Sequence, residues 1–159
     1  MSAPARTYAL RPAGLRDLSA IRDLEQLSFP LDAWPLIEMI SVLSLPSVLR
    51  WKAVEGEAED LVGFIAVDVR RRDHLAWIAT IAVHPQRRGA GIGQALMAQA
   101  EAAVNVPRMR LSVRMSNEAA IALYEKRGYT RVDVWRKYYA GGEDALVMEK
   151  WLFSEDAAE

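Results

Sequence analysis

Three glycines in five residues, Gly89, Gly91 and Gly93, separate an almost unbroken apolar run from a strongly helix-forming stretch. The apolar run, Leu75 to Val83, reads with His74 as a strand buried on both faces. Gly91 to Val104, rich in Ala, Leu and Met, reads as a helix. A strand that enters a helix through such a loop leaves helix N–H groups unpaired, lets the backbone take positive φ, and aims the positive end of the helix dipole outward. Arg87 and Arg88 stand beside it. That combination suits a pyrophosphate. A P-loop would need Gly-Lys-Ser/Thr, which is missing. A dinucleotide-binding loop would need its third glycine at another offset, an acidic residue about 20 positions on, and a place after an early strand. Coenzyme A remains as the pyrophosphate carrier.

Around this loop the hydrophobic period alternates. Thr7 to Arg11 reads as a strand ended by Pro12. Leu15, Leu18, Ile21, Leu24 and Leu27 form a helical stripe that Phe29-Pro30 closes. Trp34 to Leu43 reads as a second helix, with Pro35 in its first turn. Val48 to Val54 and Leu61 to Val69 read as strands, as does Arg108 to Met115. Asn117 to Arg127 reads as a helix ended by Gly128. Tyr129 to Tyr139 and Ala145 to Leu152 read as a hairpin. The order β α α β β β α β α β β predicts a mixed α/β domain, antiparallel early and parallel at the strand–helix–strand centre. One domain is expected over 7–152, with loose tails at 1–6 and 153–159.

Composition removes several classes of function. With no Cys, disulfides, thiolate zinc sites and thiol nucleophiles are excluded, and two His are too few for a histidine metal cluster. No metal is expected. A net charge of −1 argues against nucleic acid as a partner. The longest apolar run is far short of the ~20 residues that span a bilayer. Neither a membrane partner nor a secretory leader is expected, which places the protein in the cytoplasm.

Arg88-Gly89-Ala90-Gly91-Ile92-Gly93 fits the Q/R-x-x-G-x-G/A signature of the GNAT N-acetyltransferases. Ser116 to Tyr129 resembles that family's N-x-x-A-x-x-L-Y-x-x-x-G-F/Y element. Phe29 to Pro35 resembles the F-x-x-x-W-P region of its RimI-like branch. Tyr138-Tyr139 with Glu143 to Met148 resembles that branch's Y-Y…E-D-A-hydrophobic-M ending. The resemblance covers roughly Thr7 to Trp151. It implies a mostly antiparallel sheet with a central splayed pair of parallel strands, flanked by helices. It also implies acetyl transfer from acetyl-CoA to an amine, for this branch the N-terminal α-amine of a protein, a ribosomal protein among the candidates. A small-molecule amine acetyltransferase and a catalytically weak acetyl-CoA-binding module are the alternatives.

The resemblance implies roles residue by residue. Backbone groups of Ile81, Ala82 and Val83 would pair with the pantetheine, as a peptide pairs with an open strand edge. Arg88, Gly89, Ala90, Gly91, Ile92, Gly93 and Gln94 would take the pyrophosphate. Asn117, an N-cap by position, would also touch the cofactor. Tyr124, otherwise a core aromatic, would protonate the leaving thiolate, since a phenol near 10 and a thiol near 8.5 are close enough for proton transfer. Val83 N–H would polarise the thioester oxygen. Trp34, Tyr138 and Tyr139 would line the acceptor groove, with Trp34 and Leu31 closing it as a lid.

One position departs from the branch. Where RimI relatives read L-E-V-R, this chain reads Leu111-Ser112-Val113-Arg114. Ser112 stands at the general base, and a hydroxyl holds water but does not take a proton near neutral pH. Glu25 and His74 are the other candidates for a base. His84, in Val-His-Pro, reads as a structural connector.

Overall fold

The computed structural model describes residues 7–154. Of the tails expected at 1–6 and 153–159, residues 1–6 and 155–159 lie outside that range. The chain runs β1 (Tyr8–Pro12), a short 3-10 turn (Leu15–Asp17), α1 (Leu18–Ser28), α2 (Leu36–Ser44), β2 (Val48–Glu55), β3 (Asp60–Arg70), β4 (Leu75–Val83), α3 (Ile92–Ala103), β5 (Arg108–Arg114), α4 (Glu118–Lys126), β6 (Thr130–Trp135) and β7 (Ala145–Trp151). The seven strands form one sheet in the order β1-β2-β3-β4-β5-β7-β6. Every neighbouring pair is antiparallel except β4 and β5. This is the mixed sheet the order of elements predicts. Among the described residues no helix is long and apolar enough to cross a membrane.

Three boundaries move for local reasons. Pro12 is not the breaker after β1 but its last residue, opposite Trp51; β1 is an edge strand, where a missing N–H costs no ladder bond. The second helix begins at Leu36, because Pro35 is extended (ψ 152°) and a proline disfavours helical geometry in the residue before it. Trp34 therefore sits on the α1–α2 connection. β6 ends at Trp135, short of Tyr139, because Lys137 turns the chain with φ +50°.

Period-two alternation sorts the strand side chains into two cores. Ile65, Val67, Ile78, Met109, Leu111 and Met148 pack under α3 and α4. Phe64, Ala66 and Ala82 pack under α1 and α2. On β5 the residues facing away from the first core, Arg110, Ser112 and Arg114, stay half-buried. Gly63 is what lets α3 lie so close. A Cβ there would stand 2.8 Å from Ile92 Cγ2 and 3.1 Å from Leu96 Cδ1.

β4 carries a bulge. Ala66 pairs with Thr80 but Val67 pairs with Ile78, so Ala79 is the extra residue. As a result two consecutive side chains face α1: Ala79 packs against the α1–α2 core, and Thr80 hydrogen-bonds Glu25 of α1. A bulge bends its strand and adds twist. The β4–β5 ladder consists of Leu75↔Arg108, Ala76↔Met109 and Trp77↔Arg110, and ends there. Beyond it β4 runs on to Val83 with β3, while β5 runs on to Arg114 with β7. The two parallel strands splay just where the bulge bends one of them.

Candidate active site

The splay leaves backbone exposed in a defined pattern. His84 N–H donates to Val62 O at 2.8 Å. In an antiparallel ladder the next residues alternate, so the amides of Ala82 and Thr80 also face β3, and those of Val83 and Ile81 face the gap. The side chains of Ile81 and Val83 meanwhile pack against the α3 core, and Ala82 is buried under α1 and α2. Of the three expected backbone contacts, the geometry presents two to the gap and turns Ala82 to β3. Ser28, the last residue of α1, donates from Oγ to Val83 O at 3.5 Å, which brings α1 to the mouth of the gap.

At the end of β4 lies the glycine loop. Gly89 (φ +84°) and Gly91 (φ +85°) are left-handed, and Gly91 is the N-cap of α3. The first intrahelical bond is Ala95 N–H to Gly91 O at 3.0 Å. The N–H groups of Ile92, Gly93 and Gln94 precede it and have no helical acceptor. A Cβ at Gly89 would meet nothing within 4 Å, so the loop is open on its outer side. Two contacts fix it from β1 and β2: Tyr8 OH donates to Gly91 O at 3.2 Å, and Arg87 Nε pairs with Glu55 at 2.6 Å. Arg88 and Ala90 are exposed. The Gln94 side chain is already engaged, accepting from Arg127 at 2.9 Å, which leaves its N–H for a ligand.

Asn117 caps α4, its Oδ1 accepting from Ala120 N–H at 3.2 Å. Two turns on, Tyr124 is 7% exposed and meets Tyr129 edge-on, with ring centroids 6.1 Å apart. Burial, and secondarily the neighbouring Tyr139, push its phenol up to about 12. Tyr139 OH donates in turn to Ser112 Oγ at 3.2 Å. Burial raises the Tyr139 phenol, and the Ser112 contact works against that rise. Ser112 from β5 and Tyr139 from the β6–β7 connection thus meet on the open side of the splay, while Tyr124 from α4 lies in the core under α3 and α4, near enough for the Tyr139 phenol to act on it. All three hold their protons at neutral pH, so this group can donate a proton but cannot take one.

The two candidate bases separate. His74 is an exposed left-handed residue (φ +53°) before the paired end of β4. It lies nine residues from Val83, roughly 30 Å along the strand, and the structure does not bring it to the site. Glu25 is 1% exposed, and its Oε1 accepts the Thr80 hydroxyl at 2.5 Å. Burial raises its pKa against the opposing effects of Thr80 and the Trp34 main chain, and its Oε2 has no partner among the described residues. His84 accepts from Gln86 N–H and shapes the connector.

Around the expected acceptor groove the structure joins residues that the sequence read separately. Trp77, Trp135, Tyr138 and Tyr139 form a chain of rings with successive centroids 5.6, 5.1 and 5.0 Å apart. Trp77 reads in the sequence as one more core residue of β4; only its half-exposure at the splay marks it out. Trp34 packs against the α1–α2 core, whereas Leu31 is exposed. The connection they share is tied down rather than free, because Asp32 between them pairs with Arg114. No local motif reveals that pair.

The chain matches the family model described as "Acetyltransferase (GNAT) family" over residues 18–129. It is 32% identical over 161 aligned residues to an N-alpha-acetyltransferase of Sulfurisphaera tokodaii, covering 90% of this chain and 92% of that protein. It is 31% identical to the catalytic subunit of the N-terminal acetyltransferase A complex of Arabidopsis thaliana, over 90% of this chain and 77% of that one. Its fold superposes on the ribosomal-protein-S18-alanine N-acetyltransferase of Escherichia coli with a TM-score of 0.83 and 27% identity, over 94% of this chain and 97% of that one. The glycine loop, the splayed strands and these similarities lead to one conclusion: the chain belongs to the GNAT family of acetyltransferases.

Proposed function

We propose that this protein transfers the acetyl group of acetyl-CoA to the N-terminal α-amine of a protein, as one domain spanning 7–152. The observation that carries the donor is the end of the β4–β5 ladder at Trp77 and Arg110, which leaves the Ile81 and Val83 amides facing a gap that leads to the open helix terminus. A pantetheine is slim enough to pair with such an edge, and a pyrophosphate fits the free N–H groups from Gly89 to Gln94 beside Arg88. Asn117 borders the same side. The acceptor reading rests on the relatives named for N-terminal acetylation. A ribosomal protein terminus is one candidate acceptor. The two alternatives, a small-molecule amine acetyltransferase and a weak acetyl-CoA-binding module, have no comparable support.

Acetyl-CoA supplies an activated thioester. The chain supplies the rest. Val83 N–H faces the gap and is the group to polarise a carbonyl oxygen there. Tyr124 stays protonated at neutral pH and is the hydroxyl to protonate a leaving thiolate, as a weaker acid than a free phenol because burial holds its proton. Ser112 and Tyr139 can fix a water or the incoming amine, and Trp34, Tyr138 and Tyr139 border the acceptor. No group at this junction takes a proton at pH 7, so the amine must arrive neutral or lose its proton through water. Acetyl-CoA consumption over a panel of peptides varied at their first residues, with mass spectrometry of the products, tests the reading. Acetylated N-termini are expected. Acetyl-CoA binding without turnover on any peptide would favour the binding module.

A further inference from the structure

Arg114 ends β5 between two segments that flank the splay: 29–35, which joins α1 to α2, and 136–144, which joins β6 to β7. Its guanidinium reaches both. Nε and Nη2 take the two oxygens of Asp32 at 2.5 and 2.7 Å, a bidentate pair across 82 residues of sequence. Nη1 takes Glu143 at 2.6 Å, and Nη2 also donates to Ala140 O at 3.0 Å. The same cation lies 5.0 Å from the centre of the Tyr139 ring. Glu143 is oriented for this pairing, since its other oxygen accepts Ser116 N–H at 2.8 Å. Such a planar fork matches carboxylates on two sides at once, which a lysine ammonium cannot reproduce.

We infer that Arg114 is the positioning residue of the acceptor mouth, clasping its two walls at a fixed separation and holding Tyr139 where its hydroxyl meets Ser112. The proposal rests on the N-terminal acetyltransferase reading. Its consequence for the reaction is specific. Among the described residues, no hydrogen bond or ion pair of Arg114, Asp32 or Glu143 reaches the donor side, made of Ile81, Val83 and the glycine loop. Loss of the clasp therefore acts on the acceptor and spares acetyl-CoA. Among the hydrogen bonds and ion pairs of the described residues, Arg114 alone joins the aromatic wall to the α1–α2 wall, so cutting either carboxylate loosens one wall and cutting Arg114 loosens both.

The test combines kinetics with hydrogen exchange on the full chain. Arg114→Gln should raise the peptide KM by about tenfold or more, the scale of losing charge-assisted pairs that orient a substrate, with acetyl-CoA Kd within about twofold. Asp32→Asn should raise KM alone but add nothing in the Arg114→Gln background. Arg114→Lys, which keeps the charge, should recover only part of the loss. Exchange should quicken at both 29–35 and 136–144 in Arg114→Gln, only at 29–35 in Asp32→Asn, and only at 136–144 in Glu143→Gln. Faster exchange with an unchanged peptide KM would overturn the role. So would an equal loss of acetyl-CoA affinity, which would make Arg114 a support of the whole fold. If the wild-type chain acetylates no peptide, the function reading fails, and the exchange pattern still decides whether Arg114 joins the two walls.

Discussion

Glu25 on α1 and Thr80 in the β4 bulge are joined by a 2.5 Å hydrogen bond between two buried side chains, and the second carboxyl oxygen of Glu25 has no partner among the described residues. An ionised carboxylate in that position has lost its water without gaining a cation, so burial raises its pKa above the ordinary 4.5.

The sign of the pH effect follows. A carboxyl whose folded pKa is raised favours the fold at low pH, and that contribution is lost as pH climbs from about 4.5 through the folded value. Glu25→Gln keeps an acceptor for Thr80 and removes the ionisation. Its stability should match wild type near pH 4 and exceed it at pH 8, by an amount on the order of 1–3 kcal/mol, the usual cost of an unsatisfied buried polar group. Thermal melts across pH check this. A less stable variant at pH 8 would mean that the ionised carboxylate is held by a partner.

Tyr124→Phe removes a hydroxyl and little volume. Turnover should fall by roughly 10²–10⁴, the usual contribution of a general acid, while acetyl-CoA affinity stays near wild type. With its phenol at about 12, Tyr124 stays protonated across the working range. The wild-type rate should therefore rise with amine deprotonation and show no descending limb below about pH 10. Full activity in the variant would leave Tyr124 as a packing residue.

Gly63 tests how closely the cofactor loop depends on the sheet beneath it. Gly63→Ala puts a methyl 2.8 Å from Ile92, the first residue of α3. Overpacking of this kind costs about 1–3 kcal/mol, and it should also weaken acetyl-CoA binding by displacing the helix N-terminus. Ile92→Ala in the same chain should restore part of both losses. Calorimetry and melting curves on the single and double variants give the coupling; additive losses would detach the loop from Gly63.

Ser112 bears on which amine reacts. At pH 7 roughly 10–15% of an α-amine is neutral against about 0.04% of a lysine, a lead of several hundredfold. With no proton acceptor at position 112, that lead should persist in the products. A peptide with a free N-terminus and an internal lysine should be acetylated at the terminus, faster from pH 7 to pH 9. Predominant lysine acetylation by mass spectrometry would reveal a strong base elsewhere in the site.

The parts of the fold proposed to hold the donor were legible because their signals are local. An apolar strand, a glycine loop and an alanine-rich helix need only neighbouring residues to be recognised, and Asn117 and Tyr124 follow from one helix. The acceptor side depends on contacts between distant residues. Tyr138 and Tyr139 read as a continuation of β6, because nothing in Lys137 announces its left-handed turn. Trp77 reads as core, because the bulge two residues later decides which way its surroundings open. The Arg114–Asp32 pair spans about half of the chain in sequence and has no periodic trace.

An unpaired strand edge is normally a hazard, since it offers its amides to any other chain and invites sheet-to-sheet aggregation. The extra residue at Ala79 makes such an edge in the interior of the sheet, roofed by α1 on one face and α3 on the other. An edge in that place is flanked by β5 of the same sheet and covered by helices, so it is not presented to the strand edges of other molecules. The fold thus keeps the hydrogen-bonding appetite of an open edge inside its own sheet, where the proposed cofactor, a slim amide-bearing chain, would answer it in place of a neighbouring strand.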